Sequence, residues 1–154
     1  MQRIAIAPSQ IQNKQITLTS EQQHYLYRVL RLQQGDKFIA MDGIGKWWSS
    51  QLNRAGAEIL QQLIVQTELP IAVTLIVALP KGNGFDEIVR CCTELGVACI
   101  VPVISDRTLL KPSLQKLQRW QKIAREAAEQ SERTKVPEIL QPIAFNQSLP
   151  SFTN

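Results

Sequence analysis

The sequence has few of the residues that build disulfide frameworks and metal sites. Its 154 residues contain three cysteines and one histidine. Two of the cysteines, Cys91 and Cys92, are adjacent, and an odd, clustered set argues against a disulfide framework. We therefore expect reduced core thiols in a cytoplasmic protein. A single histidine offers no zinc-binding spacing, so no metal site is expected.

Long apolar runs and a dominant charge are also missing. No N-terminal stretch resembles a signal peptide, and no apolar run reaches the roughly 18 residues of a membrane span, so we expect no membrane segment. The chain carries 17 Lys and Arg against 13 Asp and Glu, with a net charge of +4. This balance favours a polyanionic partner only mildly.

The first part of the chain is predicted to be a small β-barrel or sandwich around one helix. The predicted strands are Arg3–Ala7, Gln15–Leu18, Asp36–Met41, Lys46–Asn53 and Ile59–Val65. The Asp42-Gly43 pair predicts a hairpin turn, and Gly56 is expected to break the pattern before the last strand. Ser20 is expected to cap a helix from Glu21 to about Leu30, with Gln23 in the capping-box position.

After Pro70 the pattern changes to alternating strands and helices. Val73–Leu79 is a continuous β-branched run, typical of a strand buried on both faces. The further predicted elements are a helix at Phe85–Leu95 stopped by Gly96, a buried strand at Val97–Ile104, a helix at Leu114–Thr134 capped by Ser113 and ended by Pro137, and a strand in Glu138–Gln141. This order predicts a parallel α/β sheet. We place domains at 1–69 and 70–154.

The N-terminal helix carries a possible cationic ridge. His24, Arg28 and Arg31 recur at i, i+4 and i+7, so a regular helix would place them on one face. The opposite face would hold Leu26, Val29 and Leu30. Arginines on such a ridge can bind phosphates, although the spacing alone favours an ordinary solvated face.

Two adjacent tryptophans follow in a predicted strand. Trp47 and Trp48 could stack on nucleic-acid bases. Because successive strand residues point to opposite faces, at least one of them is expected to lie in the core.

Two cations follow the predicted parallel strands at the edge where such sheets bind ligands. They are Lys81, in the loop Pro80–Gly84, and Arg107. The loop matches neither a Walker motif nor GxGxxG. Asp86 and Glu87, in the first turn of the following helix, would complement the helix dipole and repel a phosphate. A nucleotide site is therefore not expected here.

On one face of the long helix, the side chains become smaller toward the C-terminal end. This face holds Leu117, Trp120, Ala124, Ala127, Ala128 and Ser131. The opposite face would hold Arg119, Lys122, Glu126, Glu129 and Arg133. Small side chains allow close approach, so we expect the end of the helix to pack tightly, with Gln130 and Arg133 beside the contact. Tight packing by itself requires no function.

The order of several motifs resembles that of the bacterial 16S rRNA uracil-N3 methyltransferases. The matching runs are Arg28-Val-Leu-Arg31, Gly35-Asp36, Asp42-Gly43, Lys81, Thr93-Glu-Leu-Gly-Val97, Pro102, Asp106-Arg107, and Arg119-Trp120 through Glu126-Ala-Ala-Glu-Gln-Ser-Glu-Arg133 to Pro137. They extend over nearly the whole chain, and the Thr-Glu-Leu-Gly-Val and Glu-Ala-Ala-Glu-Gln-Ser-x-Arg runs are the most specific.

The resemblance implies a PUA-like RNA-binding β-barrel followed by a SPOUT-type α/β methyltransferase domain with a trefoil knot, usually dimeric. The implied methyl donor is S-adenosylmethionine, and the implied acceptor is N3 of a uridine in 16S rRNA, within the small ribosomal subunit. Arg133 would stabilise the uridine anion, and Gln130 or Glu129 would orient the base. The RNA-binding residues would be Arg3, His24, Arg28, Arg31, Lys81 and Arg107.

The resemblance covers only part of the family's pattern. The sequence ends at Asn154, where family members continue into a Gly-Pro-Glu-Gly-Gly loop around the cofactor. We therefore expect a partial SPOUT domain that does not bind the cofactor alone. Two other interpretations stay open: a non-catalytic RNA-binding protein, and an unrelated two-domain α/β binding protein without salt-sensitive RNA affinity.

Overall fold

The computed structural model describes residues 1–108 and 112–148. Contacts between residues divide the chain into unit 1, residues 1–67, and unit 2, residues 68–154. The sequence placed the boundary after residue 69. Among the described residues, no helix is both long and apolar enough to cross a membrane.

Unit 1 is built on a curled six-stranded sheet with the order β1-β4-β5-β6-β3-β2. The strands are β1 Arg3–Ala5, β2 Ile11–Gln12, β3 Gln15–Ile16, β4 Lys37–Met41, β5 Trp47–Asn53 and β6 Gly56–Leu63. β1 pairs with β4 in parallel, and the other pairs are antiparallel. A short 3-10 turn, Pro8–Gln10, separates β1 from β2 and ends the first strand earlier than predicted.

The predicted hairpin joins β4 to β5. The Asp42 carboxylate accepts hydrogen bonds from the backbone N–H groups of Ile44 and Lys46, both at 2.9 Å, and this fixes the turn. Gly56 begins β6 and does not break the pattern before it, which corrects the prediction. Its φ is +137°, and a Cβ there would lie 2.3 Å from the Ile16 carbonyl oxygen, so only glycine lets β6 pass so close to β3.

The helix of unit 1 begins one residue earlier than predicted. Helix α1 spans Ser20–His24, and Thr19 is its cap. The Thr19 hydroxyl accepts from the Gln22 backbone N–H at 3.2 Å, and the Gln22 side chain accepts from the Thr19 N–H at 2.9 Å. Gln22 also donates to the Ala5 carbonyl at 2.9 Å. This link to β1 favours Gln22 over Gln23 in the capping box.

Beyond His24 the helix widens into a π-helical turn, Tyr25–Val29, closed by a bond from Leu30 N–H to the Tyr25 carbonyl at 2.9 Å. The wider turn rotates the following side chains relative to an α-helix. Val29 is consequently 57% exposed, so its predicted place on the apolar face is wrong. Arg31 follows the helix in a left-handed conformation with φ +56°, so it does not continue the predicted helical face.

The core of unit 1 lies between the curled sheet and this helix. Its fully buried members include Ile16, Leu26, Phe38, Ala40, Leu52 and Ala57. Trp48, Ile11 and Ile59 are partly buried and pack against it.

Unit 2 has the predicted parallel α/β order. Its strands are β7 Thr74–Ala78, β8 Cys99–Ile104, β9 Glu138–Ile139 and β10 Ile143–Ala144, and its helices are α2 Gly84–Glu94, α3 Leu114–Gln130 and α4 Phe145–Ser148. β8 pairs in parallel with β7 along one edge, and with β9 and then β10 along the other. Strand β10 and helix α4 were not predicted.

One strand of unit 2 is less buried than predicted. β8 has Ile100, Val101 and Val103 fully buried. β7, in contrast, has both end residues exposed and its middle only half-buried, so burial on both faces is wrong for it. β7 lies at the edge of the sheet in the described residues. Helices α2 and α3 share a single core cluster with Leu79 and Ile139, which places them on one face of the sheet.

The two long helices end in similar turns, only one of which was predicted. After α2, Gly96 (φ +98°) donates to the Thr93 carbonyl at 3.1 Å and Val97 donates to Cys92 at 3.0 Å, as in a Schellman motif. Helix α3, capped by Ser113 as predicted, ends at Gln130 and not at Thr134. It stops early because Glu132 takes a left-handed conformation, φ +62°, which glycine usually occupies.

Candidate functional site

Arg133, which follows the early end of α3, lies inside unit 2. Its side chain is buried, with a residue exposure of 4%. Nη1 donates to the carbonyls of Thr93 at 3.1 Å and Val97 at 2.8 Å, at the C-terminal end of α2. Nε and Nη2 donate to one carboxylate oxygen of Glu68 at 3.2 and 2.6 Å. The predicted place of Arg133 on the exposed face of α3 is therefore wrong.

Glu68 completes this arrangement, which we call the Arg133 clamp (Glu68, Thr93, Val97 and Arg133). Its second carboxylate oxygen accepts from the Thr134 hydroxyl at 3.2 Å and the Lys135 backbone N–H at 2.9 Å. Burial alone would raise the pKa of Glu68. The hydrogen bonds and the charge of Arg133 outweigh burial and hold that pKa below its ordinary value.

The small residues near the end of α3, and the turn that follows them, explain how the Arg133 side chain reaches the interior of unit 2. Ala124, Ala127 and Ala128 are buried, as the predicted close-packing face requires. The Ser131 hydroxyl donates to the Ala127 carbonyl at 2.7 Å, and the Arg133 N–H donates to Ala128 at 3.0 Å. These two bonds turn the chain back at the helix end, so Arg133 points inward. Its hydrogen bonds then tie the ends of both long helices to the start of unit 2.

The other two predicted catalytic residues do not share this burial. Gln130 is exposed on the last turn of α3, and Glu129 is half-buried. The four hydrogen bonds of the Arg133 side chain go to Glu68 and to two backbone carbonyls, and none goes to Glu129 or Gln130. The catalytic roles of Glu129 and Gln130 stay predictions.

Asp86, in the first turn of α2, links that helix to the second turn of α3. Its carboxylate accepts from the Trp120 indole N–H at 3.0 Å and from Arg119 Nε at 2.8 Å. The Phe85 and Trp120 rings lie 4.4 Å apart, centroid to centroid. The sequence suggested Asp86 only as a partner of the helix dipole, because a contact across 34 positions leaves no local pattern.

The carboxyl edge of the sheet carries the two predicted cations. Lys81 and Arg107 are exposed in the loops that follow β7 and β8, which are adjacent parallel strands. Lys116, at the start of α3, donates to the Asn83 side chain at 2.9 Å and so ties down the first of these loops. Positive groups therefore border this edge, but their role in RNA binding stays a prediction.

The N-terminal cations are arranged less regularly than predicted. His24, Arg28 and Arg31 are all exposed. Arg3 is partly buried, and its guanidinium carbon lies 5.4 Å from the centroid of the Trp47 ring. At that distance a cation–π interaction contributes to the position of Arg3.

The tryptophan pair divides between core and surface, as strand alternation predicts. Trp47 is buried, whereas Trp48 is partly exposed. Trp48 lines a shallow groove of about 310 Å³, which we call the Trp48 groove. Its lining residues are Ile11, Lys14, Trp48, Ile59, Leu60, Gln61 and Gln62. Sequence reasoning missed Lys14, because the pairing of β2, β3 and β6 brings it to the tryptophan.

The cysteines show no sign of a reactive or metal-binding site. A hydrogen bond to Glu87 raises the pKa of Cys91, and burial raises the pKa of Cys92 and Cys99, so the protonated thiols are favoured. Within residues 1–108 and 112–148, no cluster of three or more His, Cys, Asp and Glu side chains could hold a metal ion.

Comparison with protein families matches both units. Residues 67–154 match the family described as an RNA methyltransferase domain. Residues 18–61 match the family described as an RNA methyltransferase PUA domain. The first match alone covers more than half of the chain.

Two curated relatives carry the same name, ribosomal RNA small subunit methyltransferase E. The Synechocystis protein is 53% identical over 148 residues, which cover 94% of this chain and 49% of the relative. The Bacillus subtilis protein is 32% identical over 142 residues, which cover 86% of this chain and 56% of the relative. The chain thus spans about half the length of these curated relatives.

A solved structure extends the likeness to the fold. The ribosomal RNA small subunit methyltransferase E from Neisseria gonorrhoeae, described as bound to S-adenosyl methionine, superposes with a TM-score of 0.85 at 32% identity. The match covers 97% of this chain and 64% of that one. The predicted fold class, a PUA-like β unit followed by part of a SPOUT-type α/β unit, is confirmed.

Proposed function

Because the chain belongs to the RNA methyltransferase family, we propose that it supplies the RNA-binding unit and part of the catalytic unit of an enzyme that methylates N3 of a uridine in 16S rRNA. One observation carries the proposal. The segment that matches an RNA methyltransferase PUA domain contains the exposed side chains of His24, Arg28 and Arg31. Exposed arginines on such a unit suit phosphate contacts, which position a protein on RNA without reading its sequence.

S-Adenosylmethionine, when bound, would supply an electrophilic methyl group on its sulfonium. The protein must then position the base and support the negative charge that forms as the N3 imide proton leaves. Glu129 and Gln130, on the last turn of α3, are our candidates for orienting the uridine.

Arg133 was predicted to stabilise the uridine anion. Four hydrogen bonds hold its guanidinium to the clamp, and a role on the base would require some of them to open. We therefore assign Arg133 a positioning role. It fixes the turn that follows Gln130 and so fixes where the last turn of α3 presents its side chains.

The described residues fit the methyl donor only in part. Lys81 and Arg107 could meet its carboxylate, since both are exposed at the carboxyl edge of the sheet. In the described part of unit 2, however, no buried side-chain nitrogen or oxygen lacks a hydrogen-bond partner, so none is left for the methyl donor to satisfy. Most of the cofactor pocket is therefore proposed to lie outside these 154 residues.

The remaining partners follow from the same proposal. The substrate would be 16S rRNA in the small ribosomal subunit, and the active enzyme would be a homodimer. The alternative, a non-catalytic RNA-binding protein, shares the RNA contacts and differs only in lacking methyl transfer. An unrelated two-domain binding protein is excluded by the family match.

The proposal predicts salt-sensitive RNA binding by the 154-residue chain. Fluorescence anisotropy with 16S rRNA fragments should give an affinity that falls steeply as salt increases, because phosphate contacts release counterions. Arg28→Gln should weaken binding several-fold and flatten the logarithmic salt slope by about 0.7 per lost contact on single-stranded RNA.

Arg125→Gln is the matched control, since Arg125 is an exposed arginine of α3 that the proposal does not use. Its RNA affinity should equal that of the unmodified chain. Affinity that is independent of salt, or equal losses in both variants, would contradict the proposed role of unit 1.

A further inference from the structure

The proposed phosphate contacts leave the Trp48 groove without a function. Four of its lining residues are apolar: Ile11, Trp48, Ile59 and Leu60. The other three are polar: Lys14, Gln61 and Gln62. A mainly apolar lining with a few polar groups is the usual composition of a ligand site.

The size of the groove limits what can occupy it. Its volume of about 310 Å³ lies at the lower end of the range for small-molecule pockets, roughly 300–1,000 Å³. One planar ring system fits such a space better than an extended apolar segment of a protein does. A nucleobase is a planar ring system of suitable size.

The sheet holds Trp48 in place for stacking. Trp48 lies on β5 between Ala40 of β4 and Gln62 of β6, and it packs against the buried core of unit 1. The remainder of its side chain is exposed in the groove. A ring already fixed by packing loses little conformational freedom when a base stacks on it.

The charge around the groove favours an anionic strand. Lys14 lies in the β2–β3 turn with φ +65°, and its carbonyl accepts from the Ile59 N–H at 2.7 Å, which fixes the turn beside the tryptophan. None of the groove's lining residues is acidic. Unit 1 has seven Lys and Arg against four Asp and Glu, so it carries most of the chain's positive excess.

None of the acidic residues of unit 1 lines the groove; they are Glu21, Asp36, Asp42 and Glu58. The carboxylates of Asp36 and Asp42 accept backbone N–H groups within their own turns. Glu58 precedes Ile59 on β6 and is not among the residues that line the groove. Lys14 is therefore the one charged residue among those that line the groove.

We infer that the Trp48 groove stacks one unpaired base of single-stranded RNA, with Lys14 beside the adjacent phosphate and Gln62, which pairs with Trp48 across the sheet, beside the edge of the base. Proteins that recognise unpaired RNA bases combine these elements: an aromatic face, amide groups and a cation. The inference rests on the proposed function, because it names the part of the RNA that unit 1 binds.

The test measures binding of a fluorescent oligouridylate of about ten nucleotides by anisotropy. Trp48→Leu keeps an apolar side chain, although a smaller one, and loses the aromatic face, so it should bind about tenfold more weakly. Trp48→Phe keeps an aromatic ring and should retain most of the affinity. The logarithmic salt slope should stay the same in both variants, because their phosphate contacts are intact.

A second probe requires no substitution. An oligonucleotide of the same length with abasic sites throughout keeps its phosphates but offers nothing to stack. The unmodified chain should bind it about tenfold more weakly than oligouridylate, whereas Trp48→Leu should bind the two probes equally. If the leucine variant fails to fold, equal binding of the two probes by the unmodified chain still overturns the inference, and Trp48→Phe is then compared on both probes to assign the stacking to this ring.

The outcomes separate the two claims. If the unmodified chain has no salt-dependent RNA affinity, the proposed function fails and the inference fails with it. If it binds both probes equally in a salt-dependent manner, only the stacking inference is overturned. A Trp48→Leu variant that changes self-association in sedimentation while keeping full RNA affinity would identify the groove as a protein contact, and this also overturns it.

Discussion

At the scale of the single residue, two arginines show that residue type and spacing do not by themselves predict whether a side chain is exposed. Arg28 is exposed, as its helical spacing predicts. Arg133 is buried, although the same kind of reasoning placed it on a solvated face. The difference comes from Glu132, a residue other than glycine in a left-handed conformation, which ends α3 four residues early. No local pattern announces such a turn, and Glu68, the partner of Arg133, lies 65 positions away.

The Arg133 clamp predicts a pH dependence of stability. The pKa of Glu68 is lowered in the folded state, so its contribution is complete above its unfolded pKa, near 4.5, and is lost as the pH falls below that value through the folded pKa. Glu68→Gln should lower the free energy of unfolding by about 2 kcal/mol at neutral pH, since it leaves the Arg133 charge unpaired. Urea denaturation between pH 7 and pH 3 measures both effects, and the variant should lose less stability across that range.

Glu126→Gln is the matched control for this prediction. Its carboxylate lies 4.0 Å from Lys122 Nζ, and both side chains are more than half exposed, so its removal should change stability by less than about 1 kcal/mol. Equal losses in the two variants would show that the clamp adds nothing beyond an ordinary surface ion pair.

Strong local signals predicted the elements well. The Asp42-Gly43 turn, the Ser113 cap and the Gly96 stop all appear where they were expected. The π-helical turn at Tyr25–Val29 could not be predicted, because it depends on how Leu26 and Leu30 reach the core of unit 1. The exposure of β7 was missed for a related reason: a β-branched run predicts a strand but does not say whether the strand lies at the edge of its sheet.

The end of α2 offers a test at this scale. Gly96→Ala places a side chain at φ +98°, and its Cβ would lie 2.7 Å from Leu69 Cδ1. The backbone conformation alone costs about 1–2 kcal/mol, and displacement of Leu69 adds to it. Chemical denaturation should show a larger loss for Gly96→Ala than for Gly82→Ala, which has φ +74° and no atom within 4 Å of its added Cβ.

The double variant Leu69→Ala/Gly96→Ala isolates the contact. It should lose less stability than the sum of its two single variants, because the shortened side chain no longer meets the added Cβ. Additive losses would show that Leu69 moves aside without a measurable cost.

At the scale of the whole molecule, the two units differ in charge and in topology. Unit 1 is a curled sheet with exposed arginines, and unit 2 is a parallel sheet with two helices on one face. The alternation of strands and helices after Pro70 predicted the parallel topology of unit 2. The family resemblance was needed to connect it with RNA methylation, because neither sheet by itself carries a motif specific to one reaction.

The central claim is that these residues bind RNA but hold only part of the cofactor site. Calorimetric titration of the 154-residue chain with S-adenosylmethionine tests it most directly. We expect no saturable heat at micromolar concentrations of the chain, because in the described part of unit 2 every buried side-chain nitrogen and oxygen already has a hydrogen-bond partner. Saturable binding with a micromolar Kd would contradict the account.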